Sequence, residues 1–218
     1  MKSVGIYLAA GKSQRMGESK LALPVGKMSL GSLALETALN SSLQKVYIIM
    51  SDEDDGKWIS KKLLANHKLV LVRCPTACEG QSASLRCGIE CAQAEKADAA
   101  MIILADQPFI TGLMINELIA CLKQHPTCNY VATSHGVLNV PPILFSASMF
   151  SSLLSLTGDQ GARSLLKNKA RYPGKQLPCG DNRFVFDVDT KEDYAEFLLM
   201  MNKSTSSDYR IETVDFGF

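Results

Sequence analysis

Early in the chain, Leu8-Ala9-Ala10-Gly11-Lys12-Ser13-Gln14-Arg15-Met16-Gly17-Glu18-Ser19-Lys20 combines small residues, glycines and cations. It follows directly on the apolar run Val4-Gly5-Ile6-Tyr7. Small residues let backbone N–H groups approach anionic oxygens, while Lys12, Arg15 and Lys20 answer the charge. The chemistry this suits is wrapping the phosphates of a nucleotide. The stretch is not a P-loop, because Gly11 and Gly17 are followed by Glu18-Ser19-Lys20 rather than the G-K-[ST] ending. Nor is it a dinucleotide fingerprint, since Gly11-Lys12-Ser13 breaks G-x-G-x-x-G.

Carboxylates stand at two further places. Asp106 closes the apolar run Ala99–Leu104 within Leu104-Ala105-Asp106-Gln107-Pro108. A strand-end Asp serves as a turn cap or as a metal ligand, and Mg²⁺ needs only one or two carboxylates beside phosphate oxygens. In Asp187-Val188-Asp189-Thr190, a persisting strand would put Asp187 and Asp189 on one side. Thr190, with Asp193 three residues on, can cap the next helix and free Asp189 for a metal. Asp106 and Asp189 together could hold one Mg²⁺.

Two glycine-bearing turns complete the set. In Glu79-Gly80-Gln81-Ser82-Ala83-Ser84-Leu85-Arg86, Gly80 permits close backbone approach, Gln81 offers a donor and an acceptor to a base edge, and Ser82 leads into a helix whose N-terminus suits anions. A plain helix start reads the same way. Leu156-Thr157-Gly158-Asp159-Gln160-Gly161-Ala162-Arg163 turns into a helix and could position an acceptor through Gly158, Asp159 and Gly161, or simply join two helices. Cys74, Cys78, Cys87 and Cys91 form two C-x₃-C pairs, but ribbon sites use C-x₂-C, and Cys87 and Cys91 share an apolar helix face with Leu85 and Ile89. His67, His125 and His135 share no ligand spacing with them.

The elements that must position these residues alternate. Strands are expected at Val4–Ala9, Val46–Ser51, Leu69–Arg73, Ala99–Ala105, Tyr130–Thr133, Ile143–Phe145 and Phe184–Asp187. Helices are expected near 30–42, 53–66, 82–94, 111–124, 146–156, 160–168 and 190–201. Continuous apolar strands and βαβα order predict an α/β chain, a three-layer α/β/α sandwich with a Rossmann-like, mostly parallel (mixed) sheet. Ligands of such sheets bind at the C-terminal strand ends, where residues 9–20 and Asp106 fall.

The chain's 218 residues suit one domain, 1–201, with a polar tail, 202–218, that Ile211, Val214, Phe216 and Phe218 could dock. Its 46% hydrophobic and 21% charged residues are those of an ordinary soluble protein, and a net charge of +1 argues against nucleic acid or membrane as partner. No run approaches the roughly 20 apolar residues of a membrane span, and no signal peptide is legible. Seven scattered cysteines fit a reducing cytoplasm.

Taken together, Leu8–Lys20 with Leu23-Pro24, Glu79–Gly88, Leu104–Pro108, Gly158–Leu166 and Asp187–Asp193 resemble the molybdenum cofactor cytidylyltransferase branch of the glycosyltransferase-A-like nucleotidyltransferases. That branch comprises accessory proteins that mature xanthine dehydrogenase and related hydroxylases. The resemblance spans about residues 3–200. It implies a nucleotide-diphospho-sugar transferase type of fold and Mg²⁺-dependent transfer of CMP from CTP to molybdenum cofactor, with a molybdoenzyme client. It also implies that Leu8, Ala9, Ala10, Gly11, Lys12, Ser13, Gly80, Gln81 and Ser82 hold the nucleotide. Arg15 and Lys20 would bind the triphosphate and act with Asp106 in catalysis, and Asp106 and Asp189 would hold Mg²⁺. The acceptor-side loop departs from the family's glycine-rich pattern, reading Gly136-Val137-Leu138-Asn139-Val140-Pro141-Pro142. Guanylyl transfer, a sugar- or alditol-phosphate acceptor, and a non-catalytic cofactor carrier remain alternatives at this stage.

Overall fold

The computed structural model describes residues 1–11, 19–167 and 170–204. The chain opens with β1 (Ser3–Leu8), then a 3-10 turn at Lys20–Ala22, a hairpin of β2 (Pro24–Val25) and β3 (Met28–Ser29), and α1 (Leu30–Leu39). Next come β4 (Lys45–Ser51), α2 (Lys61–Leu64), β5 (Leu69–Cys74), α3 (Gln81–Ala94), β6 (Ala99–Leu104) and α4 (Gly112–Gln124). The last elements are β7 (Tyr130–His135), β8 (Leu138–Ser146), α5 (Phe150–Leu154), β9 (Gly174–Pro178) and α6 (Lys191–Ser204).

Among the described residues a seven-stranded sheet runs in the order β5-β4-β1-β6-β8-β7-β9. All strands but β8 point the same way. Alternate residues of the apolar strands feed different cores, as two covered faces require. Tyr7, Ile48, Met101 and Ile103 pack with α1 and α4 residues such as Leu35, Ile115 and Leu118. Ile6, Ile49 and Ile102 pack with Leu85 and Ile89 of α3 and Phe150 and Leu153 of α5. This is the expected three-layer α/β/α sandwich. Helix α3 crosses β1 so closely that a Cβ on Gly88 would stand 2.3 Å from Ile6 Cγ2.

A third cluster joins the last helix to the hairpin. Phe197 of α6 packs with Val25, Leu30 and Val188, and its ring centroid lies 5.3 Å from that of Phe109. The Tyr194 hydroxyl donates to the Pro24 carbonyl. The last helix is thereby fastened to the hairpin of β2 and β3.

Several expectations are corrected. No strand forms over Phe184–Asp187; Asn182–Val185 is a 3-10 turn. The seventh strand is instead β9, whose Gly-Lys-Gln-Leu-Pro sequence carries no apolar run because it is an edge strand paired only with β7. The helix expected near 53–66 shrinks to Lys61–Leu64, since Asp54 Oδ1 accepts from Gly56 N and Gly56 adopts φ 70°, turning the chain. The helix near 160–168 is a 3-10 run over Ala162–Lys167, and the one at 146–156 narrows to α5 after a 3-10 turn. Helix α6 continues to Ser204, past the expected boundary at 201, while residues 205–218, including the docking residues suggested above, lie outside the described residues.

On the opposite rim from the site, Glu95 gathers Lys2 Nζ at 2.5 Å, Lys45 Nζ at 2.6 Å and the Tyr47 hydroxyl at 2.9 Å. These hydrogen bonds, Lys2 first, lower its pKa from 4.5 to about 2. A carboxylate whose folded pKa is depressed stabilises the fold above its ordinary pKa and loses that contribution as pH falls through the folded value. Glu95→Gln therefore melts below the wild type at pH 7, and the gap closes between 4.5 and about 2. Paired thermal melts across that range check this.

Candidate active site

Strand β1 ends where β4 and β6 flank it. Ala9 N donates to Ile49 O at 2.9 Å, and Ala105 N donates to Leu8 O at 3.2 Å. Leu8, Ala9, Ala10 and Gly11 therefore lie at the sheet's C-terminal edge, and all four line cavities there. Lys12, Ser13 and Arg15 lie outside the described residues.

Lys20 re-enters on the 3-10 turn and points back to that edge. It is 8% exposed. Its ammonium lies 2.6 Å from Asp106 Oδ2 and 2.8 Å from Asp189 Oδ1. Burial alone would lower the lysine's pKa, but the two carboxylates outweigh it and the net direction is up. The three charged residues come from the start, middle and end of the chain, and local hydrogen bonds explain why they meet. Asp106 follows β6 by two residues. Val188 N donates to Asp106 O at 3.0 Å, bringing the 187–190 segment alongside. Thr190 Oγ1 accepts from Asp193 N at 3.1 Å while Asp193 Oδ2 accepts from Thr190 N at 2.8 Å and Asp189 N at 3.0 Å. This reciprocal cap closes the start of α6 and leaves the Asp189 carboxylate to Lys20.

Asp187 does not join the pair as strand alternation suggested. Its Oδ1 accepts from Gln107 Nε2 at 2.7 Å. Desolvation of the carboxyl, with Asp106 and Asp189 nearby, pushes its pKa up. Gln107, 3% exposed, holds Asp187 next to the site, a bond that sequence reasoning passed over. Its signal was its place next to a strand-end Asp. Asp106 Oδ1 and Gln107 Oε1 are buried with no hydrogen-bond partner among the described residues.

The two glycine-bearing turns clasp one another. Gly80 has φ 121°, and a Cβ there would stand 2.6 Å from Gly158 O. Ser82 N donates to that same carbonyl at 3.1 Å, so this N–H at the start of α3 faces protein rather than an anion. The helix cap is Gly80, not Ser82. Ser82 is buried and its hydroxyl accepts from Arg86 Nη1 at 3.3 Å; Ser84 reaches the cavity instead. Arg86 Nη1 also donates to Leu156 O at 2.7 Å. Gly161 backs onto Gln81, since a Cβ there would meet Gln81 Oε1 at 2.5 Å. Of the three acceptor-side candidates, Asp159 lines the cavity, Gly161 allows the close approach of Gln81, and Gly158 takes φ 58° in the turn whose carbonyl meets Gly80 and Ser82. Gly80→Ala is expected to lose about 1–3 kcal/mol from backbone strain alone, more with the collision. Chemical denaturation measures it.

A cavity of 570 Å³ is lined by Lys20, Gly80, Gln81, Asp106, Asp159 and Asp189 among others. A neighbouring cavity of 690 Å³ shares Ala10, Gly11, Ala77 and Cys78 with it and extends to Trp58 and the acidic Asp52–Asp55 segment. Sequence reasoning missed this second cavity because its wall is a turn-rich segment read as helix. The wall of the first carries Glu79, Asp106, Asp159 and Asp189 against Lys20 among the described residues. A polyphosphate entering it needs further positive charge. Cys87 lies away from this chemistry on α3; burial and the adjoining Cys74 push its thiol up, away from the thiolate that a metal requires. Among the described residues no helix is long and apolar enough to cross a membrane.

Comparison with known proteins agrees with this picture. The MobA-like NTP transferase domain matches residues 5–174. Purine catabolism protein PucB of Bacillus subtilis is 37% identical over 195 residues, covering 88% of this chain and 93% of that protein. The crystal structure of Rv0371c from Mycobacterium tuberculosis is 25% identical with TM-score 0.75, covering 91% of this chain and 97% of that one. A manganese complex of Rv0371c superposes with TM-score 0.72 at 23% identity, covering 91% and 99%. The matched span holds β1, the segment that follows it, Lys20 and Asp106, and the PucB alignment covers 88% of the chain. The chain belongs to the MobA-like NTP transferase domain family.

Proposed function

We propose that this protein transfers CMP from CTP to the terminal phosphate of molybdenum cofactor, releasing pyrophosphate, and so serves a molybdenum hydroxylase of the xanthine dehydrogenase type. The observation that carries the reading is Lys20 held between Asp106 and Asp189 at the ligand edge of the sheet. Kinship to a purine catabolism protein supports a purine-oxidising client. One catalytic domain in the cytoplasm, with an appended segment after Ser204, completes the reading.

In this reading a phosphate oxygen of the acceptor attacks the α-phosphorus in line, and the bond to the bridging oxygen of pyrophosphate breaks. The nucleophile is already ionised at neutral pH, so no general base is needed, and the protein's work is positioning and charge neutralisation. Lys20 donates to the polyphosphate, with Lys12, Ser13 and Arg15 as further loop ligands. Leu8–Gly11, Gly80 and Gln81 hold the nucleoside, and Asp159, on the turn that Gly158 and Gly161 pack against α3, faces the acceptor.

Asp106 and Asp189 would hold Mg²⁺ or Mn²⁺. The fit rests on the donor set, two hard carboxylates reaching one point from separate elements, and on the buried Asp106 Oδ1 with no partner among the described residues. The manganese complex of Rv0371c is in keeping with a divalent ion. Bound there, the ion supplies charge neutralisation across the α-phosphate and the leaving group.

A pyrophosphate-release screen with each of the four nucleoside triphosphates and purified molybdenum cofactor tests the proposal. Release with CTP alone is expected. Release with GTP alone would reassign the base, and cofactor retention without release would point to a carrier.

A further inference from the structure

We propose that Lys20 is a resident counter-ion that exchanges with the divalent cation: Asp106 and Asp189 would hold the metal only as a polyphosphate draws the ammonium away. This rests on the reading of the site as a metal-dependent nucleotidyltransferase. It goes beyond that reading by coupling the two bindings.

The geometry carries the inference. The lysine nitrogen lies 2.6 Å from one carboxylate and 2.8 Å from the other, so it takes the space between the two groups that would hold the ion. The side chain is held inside the protein, 8% exposed, rather than loosely over the surface. A dication placed beside that ammonium meets a like charge at close range in a partly desolvated site, where such repulsion is strong. The metal alone is therefore disfavoured. Among the described residues the wall also opposes a polyphosphate without its cation, because Glu79 and Asp159 add to the negative charge of Asp106 and Asp189. Arriving together, the phosphates give the ammonium a new partner and the cation takes over the carboxylates. Such coupling is reciprocal: each ligand raises the affinity of the other by the same factor. Catalytic metal would be acquired with substrate, and the site would stay neutralised between turnovers.

The probe is Mn²⁺, followed by the loss of its free-ion paramagnetic resonance signal on titration into the full chain without nucleotide. Lys20→Met removes the charge while keeping an unbranched side chain. It is expected to bind Mn²⁺ at least about tenfold more tightly than the wild type, and Asp106→Asn in that background is expected to abolish the gain. Because Lys20→Met leaves two carboxylates face to face and lowers stability, melting is read alongside: Mn²⁺ raises the melting temperature of Lys20→Met and leaves that of the wild type nearly unchanged. Equal Mn²⁺ affinity in wild type and Lys20→Met overturns the exchange and leaves the metal assignment standing. Mn²⁺ binding indifferent to Asp106→Asn overturns both.

Discussion

Lys20→Met lowers the rate of pyrophosphate release at saturating CTP by about 10²–10³-fold, the range seen when one preorganised charge or donor is removed from a transition state. The size follows from the surroundings. Every other charged residue in the wall of that cavity among the described residues is an acid, so none of these replaces the ammonium between Asp106 and Asp189. The same substitution destabilises the fold, because Asp106 and Asp189 then face each other without their shared partner. The cost is about 1–2 kcal/mol, since Asp189 is half exposed and can turn toward water. A variant that melts a few degrees lower, keeps its circular dichroism spectrum and has lost its turnover fits this account. A folded variant with wild-type turnover contradicts it.

Asp106→Asn has the second large effect. The amide keeps the volume of the carboxylate and the main-chain bond from Val188 N to Asp106 O, so the fold persists. The charge is lost at the more enclosed of the two carboxylates, whose side chain is 23% exposed against 48% for Asp189. Turnover is expected to fall by about 10²–10³-fold, and half-maximal activation by Mg²⁺ to need at least about tenfold more metal. Asp189→Asn shows the same pattern more weakly. A Mg²⁺ titration at fixed CTP reads both variants. An unchanged Mg²⁺ requirement in Asp106→Asn would remove that residue from the metal site.

Much of this was legible because the deciding features are local. Val4–Tyr7, Val46–Met50 and Ala99–Leu104 are apolar on consecutive positions, a pattern that buried parallel strands require, and they form the middle of the sheet. Residues following such strands fall at the ligand edge by topology alone, which is how Gly11 and Asp106 could be placed. Asp189 is legible through the cap: Thr190 with Asp193 three residues on closes the start of α6 and leaves the Asp189 carboxylate unused, and the bond from Val188 N sets it beside Asp106. Strand alternation over Asp187 and Asp189 is no guide, because no strand forms there.

What stayed hidden depends on partners distant in sequence. β9 is a strand because β7 offers an edge, not because Gly-Lys-Gln-Leu-Pro favours one. The clasp between Gly80 and Gly158 joins a turn that reads as an ordinary helix start to one that reads as a join between helices, and only their contact shows why a side chain at Gly80 would collide. Ser82 illustrates the same limit: its type suits a phosphate ligand, but burial beneath Arg86 turns it inward and presents Ser84 to the cavity. Gln107 went unnoticed because its role lies in the bond to Asp187 across the site.

The central claim is that the nucleotide's α-phosphate moves to a phosphate acceptor. It is tested most directly by following CTP labelled at the α-phosphorus in the presence of purified molybdenum cofactor and Mg²⁺. The account predicts that label passes to the cofactor in step with unlabelled pyrophosphate, and that this transfer collapses in Lys20→Met. Label that stays on CTP, or that appears only as free CMP whether or not cofactor is present, would contradict it.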